Sequence, residues 1–255
     1  GRIGVRTNAQ LVDAKIHRTL SACGINETMT YSFAAGDDLD KLRMKEDGLG
    51  EAVELINPMN SEQAFMRRTV VPGLLRSVAH NQAHGVSNIQ LYEIGTVFAA
   101  HEGDRKPKER RRLACVLAGA MDDKGWNTDP RAFDFFDGKG ALEAIARELA
   151  LPKVRFKALS AEDAPHLQPG RAAEMLLVGE LHPLAVAAYD AEGPVVAFEV
   201  DMAALERNAR PARDYVDVPQ FPGVERDAAF VVDEAVTCEK IMQCMQSAGG
   251  KLLES

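Results

Sequence analysis

The sequence lacks paired cysteines. Its four cysteines, Cys23, Cys115, Cys238 and Cys244, stand singly within apolar patterns and form no CxxC motif. This spacing argues against a disulfide framework and against a zinc framework, both of which need cysteines at short, regular intervals. We therefore predict that all four are reduced core residues.

The sequence also lacks long apolar runs and a surplus of positive charge. Nothing approaches the roughly 18 consecutive apolar residues of a membrane span, and the first residues lack an apolar signal core. We expect a soluble, cytoplasmic protein without a membrane partner. The net charge of −8 argues against a general nucleic-acid binder, because phosphate neutralisation needs excess Lys and Arg. One basic run, Arg105 to Arg112, precedes an apolar stretch, and we interpret it as a solvated loop.

What is present is centred on one stretch, Asn57 to Phe98. Pro72 starts a helix there and Gly85 ends it. The apolar stripe of that helix consists of Leu74, Leu75, Val78 and Ala79. Ile89 to Phe98 follows as a β-rich, mostly buried run that contains Glu93. A buried carboxylate needs a partner, and the nearest arginines in sequence are Arg67 and Arg68, so we predict a buried Glu–Arg pair.

Local patterns predict the other elements. Thr7 and Gln10 have capping-box spacing before a helix over residues 8 to 23, and Asp201 caps a helix to about Asn208. The further predicted helices are a helical turn with a loop over 37 to 50, a helix that follows Phe133 to Gly140 and ends before Pro152, and a helix that begins at Thr237. Strands are predicted over 28 to 34, 51 to 56, 112 to 120, 154 to 159, 194 to 200 and 228 to 232. The strand over 112 to 120 is apolar throughout and should be covered on both faces.

A family resemblance rests on motifs in this order. They are Asn57-Pro58, Ser61-Glu62, Arg67, Pro72-Gly73-Leu74-Leu75, Asn81 and Tyr92-Glu93-Ile94-Gly95, followed by Trp126, Phe133 to Gly140, Gln168 to Ala173 and Gly179 to Pro183. Together they closely resemble the synthetase core module in the β subunit of bacterial phenylalanine–tRNA ligase. Two features depart from that pattern: the histidine that often precedes Pro-Gly is displaced to His166, and the hairpin between the last two motifs is shortened to Glu174 to Val178.

The resemblance implies an α+β fold, in which helices flank a class II aminoacyl-tRNA synthetase-like antiparallel sheet. It implies a noncatalytic core module over 1–209, a linker over 210–218, and the first strand and helix of a ferredoxin-like anticodon-binding domain over 219–255. A ferredoxin-like unit has four strands and two helices, so we expect that domain to be cut. The family's editing module lies upstream of the Gly1 region, and we expect it to be absent here.

The resemblance also implies partners. In the family the α subunit activates phenylalanine with ATP and Mg²⁺ and transfers it to tRNA, while β supports the assembly and contacts tRNA. We therefore expect a catalytic α subunit as partner, tRNA in the full assembly, and a heterotetramer of two α and two β subunits. Two alternatives remain open: a free-standing class II-like enzyme with a retained small-molecule site, and an interaction scaffold outside translation.

Two motifs invite chemistry, and neither satisfies its requirements. His80 and His84 have the i, i+4 spacing of HExxH, but Asn81 cannot take a proton from zinc-bound water. We interpret these histidines as surface or partner-facing. Gly138-Lys139-Gly140 is too short for a Walker loop and lacks the third glycine of a dinucleotide fingerprint.

The class II signatures for ATP are missing as well. In the motif GxGxxxR an Arg binds the γ-phosphate, and in this sequence Glu143 stands near the position of that Arg. In the motif FRxE an Arg binds the α-phosphate, and in this sequence Leu91 to Ile94 has an acid but lacks the Arg. Without these cations a triphosphate lacks electrostatic stabilisation. No GxSxG nucleophile elbow is present either. We predict no catalytic, cofactor-binding or metal-binding residue in this chain.

Overall fold

The structure is a computed structural model that describes residues 4–44, 50–100, 106–127, 129–152, 156–158, 164, 166–174, 178–210, 222–233, 236–250 and 253. It divides into two compact units, Gly1–Arg213 and Asp214–Ser255. The described helices are α1 (Asn8–Ala22), α2 (Asp38–Lys41), α3 (Val71–Ala83), α4 (Phe135–Glu148), α5 (Pro183–Ala187), α6 (Met202–Asn208) and α7 (Cys238–Gly249). The strands are β1 (Asn26–Glu27), β2 (Phe33–Ala34), β3 (Phe65–Met66), β4 (Ile89–Ala99), β5 (Lys108–Ala118), β6 (Lys157–Ala158), β7 (Leu167–Glu174), β8 (Val178–Leu181) and β9 (Val195–Asp201).

Seven of these strands form one sheet in the order β1-β4-β5-β9-β8-β7-β6. Every pairing is antiparallel except that of β1 with β4, which is parallel. The expected antiparallel sheet is thus a mixed one. A parallel pair needs a long crossover connection, and the chain between β1 and β4 supplies it with α3.

Helices cover both faces of the sheet, and the interior strand β5 shows why. Its residues Leu113, Cys115 and Leu117 pack with α1 and α4, whereas Ala114, Val116 and Ala118 pack on the opposite face with α3. Period-two alternation sends successive side chains to opposite faces, so a strand buried on both sides is apolar throughout. The prediction of a doubly covered strand is confirmed.

The basic run was misjudged, because its second half is part of β5. Residues 108 to 112 pair with β4, and the part of the run before residue 106 lies outside the described residues. Arg111 lies 2.8 Å from Asp13 and 3.4 Å from Glu206. These carboxylates neutralise the cation, so the strand extends into charged sequence that local propensity assigned to a loop.

Two predicted strands are much shorter in the structure. Between residues 28 and 34 only β2 forms, and it pairs with β3 in a separate two-stranded sheet. Between 51 and 56 only an isolated bridge, Glu54 with Phe65, is present. Met29 and Tyr31 are exposed, so β-forming side chains there have no buried surface to pack against. The first strand of the main sheet is β1 instead.

The helices begin and end close to the positions predicted from the sequence. The capping box of Thr7 and Gln10 is formed, Asp201 caps α6, and Thr237 caps α7. Helix α4 begins at Phe135, so Gly138-Lys139-Gly140 lies within a helix and not in a loop. The predicted helical turn after residue 37 is α2. No helix of the described residues could cross a membrane.

The prediction that the cysteines lie in the core was wrong for three of the four residues. Only Cys115 is buried; Cys23, Cys238 and Cys244 are exposed. Cys23 is the C-terminal cap of α1, where the chain leaves the covered face, and the other two lie on or at the start of α7. Periodicity placed them on apolar faces, but α7 has no buried residue.

In the second unit the predicted strand over 228 to 232 is absent. Residues 222–233 have no regular structure and their side chains are exposed. A strand is stable only when another strand pairs with it, and none of the described residues of this unit does so. Most of the predicted linker, residues 211 to 218, lies outside the described residues.

Candidate functional site

A buried polar network lies where α3 packs on β4. Arg67 donates from Nη1 to Glu93 Oε1 over 2.7 Å and from Nε to the carbonyl of Thr96 over 2.8 Å. Thr30 donates from Oγ1 to Glu93 Oε2 over 2.7 Å. Arg67 is 6% exposed and Glu93 4%. The predicted Glu–Arg pair is therefore confirmed, with Arg67 and not Arg68 as the partner of Glu93.

Two glycines make room for this network. A Cβ on Gly95 would overlap the guanidinium of Arg67 and lie 2.8 Å from Glu93 Oε1, and a Cβ on Gly73 would overlap the side chain of Thr30. Both glycines belong to motifs that carry the family resemblance. Those motifs thus form one structural feature, in which α3 and β4 pack closely around a buried ion pair.

A second carboxylate, the partly buried Glu199, lies on the same face of the sheet. In the strand register Glu93 pairs with Ala114 of β5, and Ala114 pairs with Glu199 of β9. The Glu199 carboxylate accepts from Thr69 Oγ1 at 2.5 Å and from Val70 N at 3.0 Å, next to the start of α3. Burial raises the pKa of Glu199, and the hydrogen bond from Thr69 and the charge of Arg112 counteract part of that rise.

Sequence reasoning missed Glu199, although its signal was present. The segment VVAFEVD has Glu199 inside an apolar strand that ends at Asp201, the same pattern that drew attention to Glu93. Because side chains alternate along a strand, an acid two residues after Ala197 had to face the same buried side as that residue.

A cavity of about 410 Å³ opens beside the network. One wall is the segment Thr28 to Ala34, the second is the outer face of α3, and Glu62 and Gln63 form the third. The residues of α3 that line it, Gly73, Arg76, Ser77, His80 and Asn81, recur at helical spacing. A cavity of this size falls within the range of small-ligand sites.

The polar groups on the cavity wall are largely engaged with one another. Arg76 forms an ion pair with Asp38 and lies over the ring of Tyr189, 5.2 Å from its centroid. Tyr189 donates from its hydroxyl to Asp38 Oδ1 over 3.1 Å, and burial raises the pKa of that phenol. Asn81 donates to the carbonyl of Ser77 over 2.8 Å. These residues connect α2, α3 and the turn that follows α5, and their polar groups are used for these contacts more than they are free to bind a ligand.

The residues whose sequence motifs suggested a catalytic or metal-binding role do not come together in one site. The rings of His80 and His84 lie with their centroids 4.3 Å apart and are tilted by 40°, and His84 Nδ1 lies 2.7 Å from the carbonyl of His80. Glu143 forms a 2.5 Å ion pair with Lys139 along α4, on the sheet face opposite α3. Burial lowers the pKa of His166, the displaced histidine of the motif, to about 4. The described residues contain no cluster of three or more side chains suited to a metal ion.

Comparison with known proteins agrees with these motifs. A family model described as "Phenylalanyl tRNA synthetase beta chain CLM domain" matches residues 2–202. The phenylalanine–tRNA ligase β subunit of Syntrophotalea carbinolica is 34% identical over 248 residues, which are 94% of this chain and 31% of that protein. The β subunit of Moorella thermoacetica is 37% identical over 243 residues, 92% of this chain and 30% of that protein. The chain thus spans about a third of the length of these curated relatives.

Among solved structures, a pyrrolysyl-tRNA synthetase from Desulfitobacterium hafniense is similar, with a TM-score of 0.54 and 14% identity over 78% of this chain and 68% of that one. At this identity the likeness shows the fold alone. It supports the class II synthetase-like α+β fold expected for the first unit, and the ferredoxin-like assignment of the second unit stays a prediction.

Proposed function

The chain belongs to the phenylalanyl-tRNA synthetase β-chain family, and from that premise we propose that it is a segment of a phenylalanine–tRNA ligase β subunit. Its first unit has the class II fold without the class II chemistry. Its task is to support the catalytic α subunit, which attaches phenylalanine to tRNA. No residue of this chain is proposed to be catalytic, cofactor-binding or metal-binding.

The observation that carries this proposal is the state of Glu93 and its partner. In β4, where a class II enzyme of the FRxE type has an arginine for phosphate and an acid, this chain keeps only the acid, Glu93, and its carboxylate is engaged by Arg67 and Thr30. The cation in the network is neutralised and 6% exposed. Phosphoryl chemistry needs cations directed at the developing charge, and a buried, paired guanidinium does not offer one.

Several further features of the family follow as parts of this proposal. ATP and Mg²⁺ act through the α subunit, tRNA joins in the full assembly, and the assembly is a cytoplasmic heterotetramer of two α and two β subunits. Residues 1–209 form the noncatalytic core module, 210–218 the linker, and 219–255 the beginning of an anticodon-binding domain. The compact unit that begins at Asp214 supports a division within this linker.

The test is co-purification with the α subunit of the same organism. We expect the tagged full chain to retain the α subunit at equimolar ratio through size-exclusion chromatography. Failure to retain it, together with capture of a different partner, would favour a scaffold outside translation. Stoichiometric ATP binding by the chain alone in calorimetry would favour a free-standing enzyme.

A further inference from the structure

A second cleft lies on the sheet face opposite α3, between the C-terminal end of α1 and the first turns of α4. Its volume is about 420 Å³, which is within the range of small-ligand sites. Four of the residues that line it belong to the core of that face and are at most 6% exposed: Ile25, Leu117, Phe133 and Ala141. The cleft is therefore formed in part by packed core side chains of the first unit.

The cleft is open because the helices present small residues to it. Ala22 at the end of α1 and Gly140 and Ala141 in α4 line it. A Cβ built on Gly140 meets nothing within 4 Å, although this glycine lies inside α4. A well-packed core fills such a space with side chains. Here the space stays free, and a larger side chain at position 140 would occupy it.

The polar groups of the lining indicate an uncharged ligand. The carboxamide of Gln90 on β4 lines the cleft and forms no hydrogen bond with any residue that the structure describes. Among the described lining residues Asp137 alone is charged, and Arg131 donates to both of its carboxylate oxygens over 2.7 Å. A charged ligand would lose its hydration without gaining a partner, whereas an amide or hydroxyl group could pair with Gln90.

The exposed apolar surface at the cleft suits a small molecule and not a protein. Met121 is 61% exposed and Phe136 70%, and they are the large apolar side chains of the lining that remain exposed. Such side chains bury on the order of 150 Å² each, so that two supply roughly 300 Å². A stable protein interface buries about 800 Å² on each partner. Two apolar side chains beside a cleft are instead sufficient to pack against a single ring.

From these observations we propose that this cleft binds a small, uncharged aromatic molecule that carries an amide or a similar hydrogen-bonding group. The ring packs against Met121 and Phe136 over the position of Gly140, and the polar group pairs with the Gln90 carboxamide. Cys23 also lines the cleft and is exposed, so a bound molecule covers its thiol. The inference does not depend on the proposed function. A zwitterion such as phenylalanine is not the ligand, because no free charged group among the described residues lines the cleft.

The test measures how fast iodoacetamide alkylates Cys23 in the full chain, with benzamide as the ligand probe and peptide mass spectrometry as the readout. We expect about 10 mM benzamide to slow the alkylation of Cys23 by about fivefold or more, which corresponds to a Kd of about 2.5 mM or less. Cys238 and Cys244 are exposed in the second unit and should react at an unchanged rate. Benzoate has the same ring with a charge and should bind at least about tenfold more weakly.

Variants of the chain locate the binding. Gly140→Leu fills the cleft and improves helix propensity, so it should fold, and benzamide should no longer change the rate at Cys23. Gly223→Leu makes the same change where a Cβ also meets nothing within 4 Å, and protection by benzamide should persist. Gln90→Met removes the carboxamide at similar length and should weaken benzamide about fivefold. Toluene, which lacks the amide, should protect Cys23 equally in Gln90→Met and in the unsubstituted chain.

Several results would overturn this inference. They are an unchanged rate at Cys23, protection that persists in Gly140→Leu, and an equal slowing of all three exposed cysteines. Equal protection by benzoate and benzamide would contradict the choice of an uncharged ligand. If thermal denaturation shows that Gly140→Leu is misfolded, Gln90→Met decides, and unchanged affinity for benzamide in that variant would count against the site.

Discussion

The Arg67–Glu93 pair determines how single substitutions should behave in the first unit. Two charges lose their hydration when they are buried, and only close contact and additional hydrogen bonds compensate that loss. Glu93 has both, from Arg67 and from Thr30. Removal of one member leaves the other charge buried and unpaired, which is more costly than loss of the contact itself.

We predict that Glu93→Ala lowers the free energy of unfolding of the first unit by about 3–5 kcal/mol, because it leaves the Arg67 guanidinium buried without its carboxylate partner. Urea denaturation measures the change. The matched control is Glu148→Ala, which removes an exposed pair with Arg18 and should cost less than about 1 kcal/mol. Equal costs for the two substitutions would show that the buried pair is not the stabilising unit described here.

A second prediction concerns Gly95. Gly95→Ala brings a methyl group onto the Arg67 guanidinium and the Glu93 carboxylate, so the ion pair must separate or β4 must shift. We expect a loss of stability of roughly 1–3 kcal/mol. Gly140→Ala is the control, because a Cβ there meets nothing within 4 Å and the residue lies inside α4. That change should stabilise the protein by about 0.5–1 kcal/mol, and a destabilised Gly140→Ala or a neutral Gly95→Ala would contradict the packing.

The pH dependence of the unfolding free energy should reveal the raised pKa of Glu199. Burial raises the pKa of this carboxyl, so the folded protein binds its proton more tightly than the unfolded chain does. The resulting stabilisation is complete below the ordinary pKa of a glutamate and disappears as the pH rises through the folded value. The difference in unfolding free energy between the unsubstituted chain and Glu199→Gln should therefore decrease from pH 4 upward. Glu109→Gln controls for loss of an exposed carboxylate, and a difference that increases with pH would mean that Glu199 is held ionised.

At the scale of elements, the sequence was most informative where local and tertiary preferences agree. Helix α3 starts with Pro72 at an early position and presents an apolar stripe, and it forms within two residues of its predicted bounds. Glu93 and Arg67 could be paired because a buried acid has few partners. Thr30 could not be foreseen, since its place depends on the crossover from β1 to β4 and not on local sequence.

The errors have one physical origin. Strand propensity describes a residue that suits a half-buried surface, and it gives no information on whether a partner strand is available. Tyr31 and Phe230 are both β-forming, and both are exposed outside the main sheet. Conversely, Arg110 to Arg112 lie within a strand because β4 pairs with their backbone and because two carboxylates form ion pairs with Arg111.

We predict that the second unit is less stable than the first. Phe230, Val231 and Val232 are exposed and have no strand partner, and α7 buries none of its residues. Ordering costs roughly 1–2 kcal/mol per residue for the backbone, and so little burial does not offset it. In hydrogen exchange of the dilute chain, amides of residues 230 to 232 should exchange orders of magnitude faster than those of Val116 to Ala118. Comparable protection would show that this unit is stable by itself.

At the scale of the whole molecule, the sheet and its two layers of helices maintain the class II synthetase-like fold of the first unit. Apolar packing on both faces of β5 maintains the architecture independently of any ligand. On the α3 face, Glu93 and Glu199 are satisfied by the protein itself. The fold of this unit is thus maintained by its own packing, and the charges of these carboxylates are compensated within the protein.

This arrangement leads to the last prediction, which concerns activity of the chain alone. Amino-acid activation needs cations placed on the triphosphate; Arg67 is buried against Glu93, and Arg76 is paired with Asp38. We expect phenylalanine-dependent exchange of pyrophosphate into ATP to stay at background with the purified chain. The α subunit, assayed in parallel within its own complex, is the positive control. Exchange above background that Arg76→Ala abolishes and Arg18→Ala leaves intact would reveal a working triphosphate site in the cavity beside α3, and the noncatalytic assignment would be wrong.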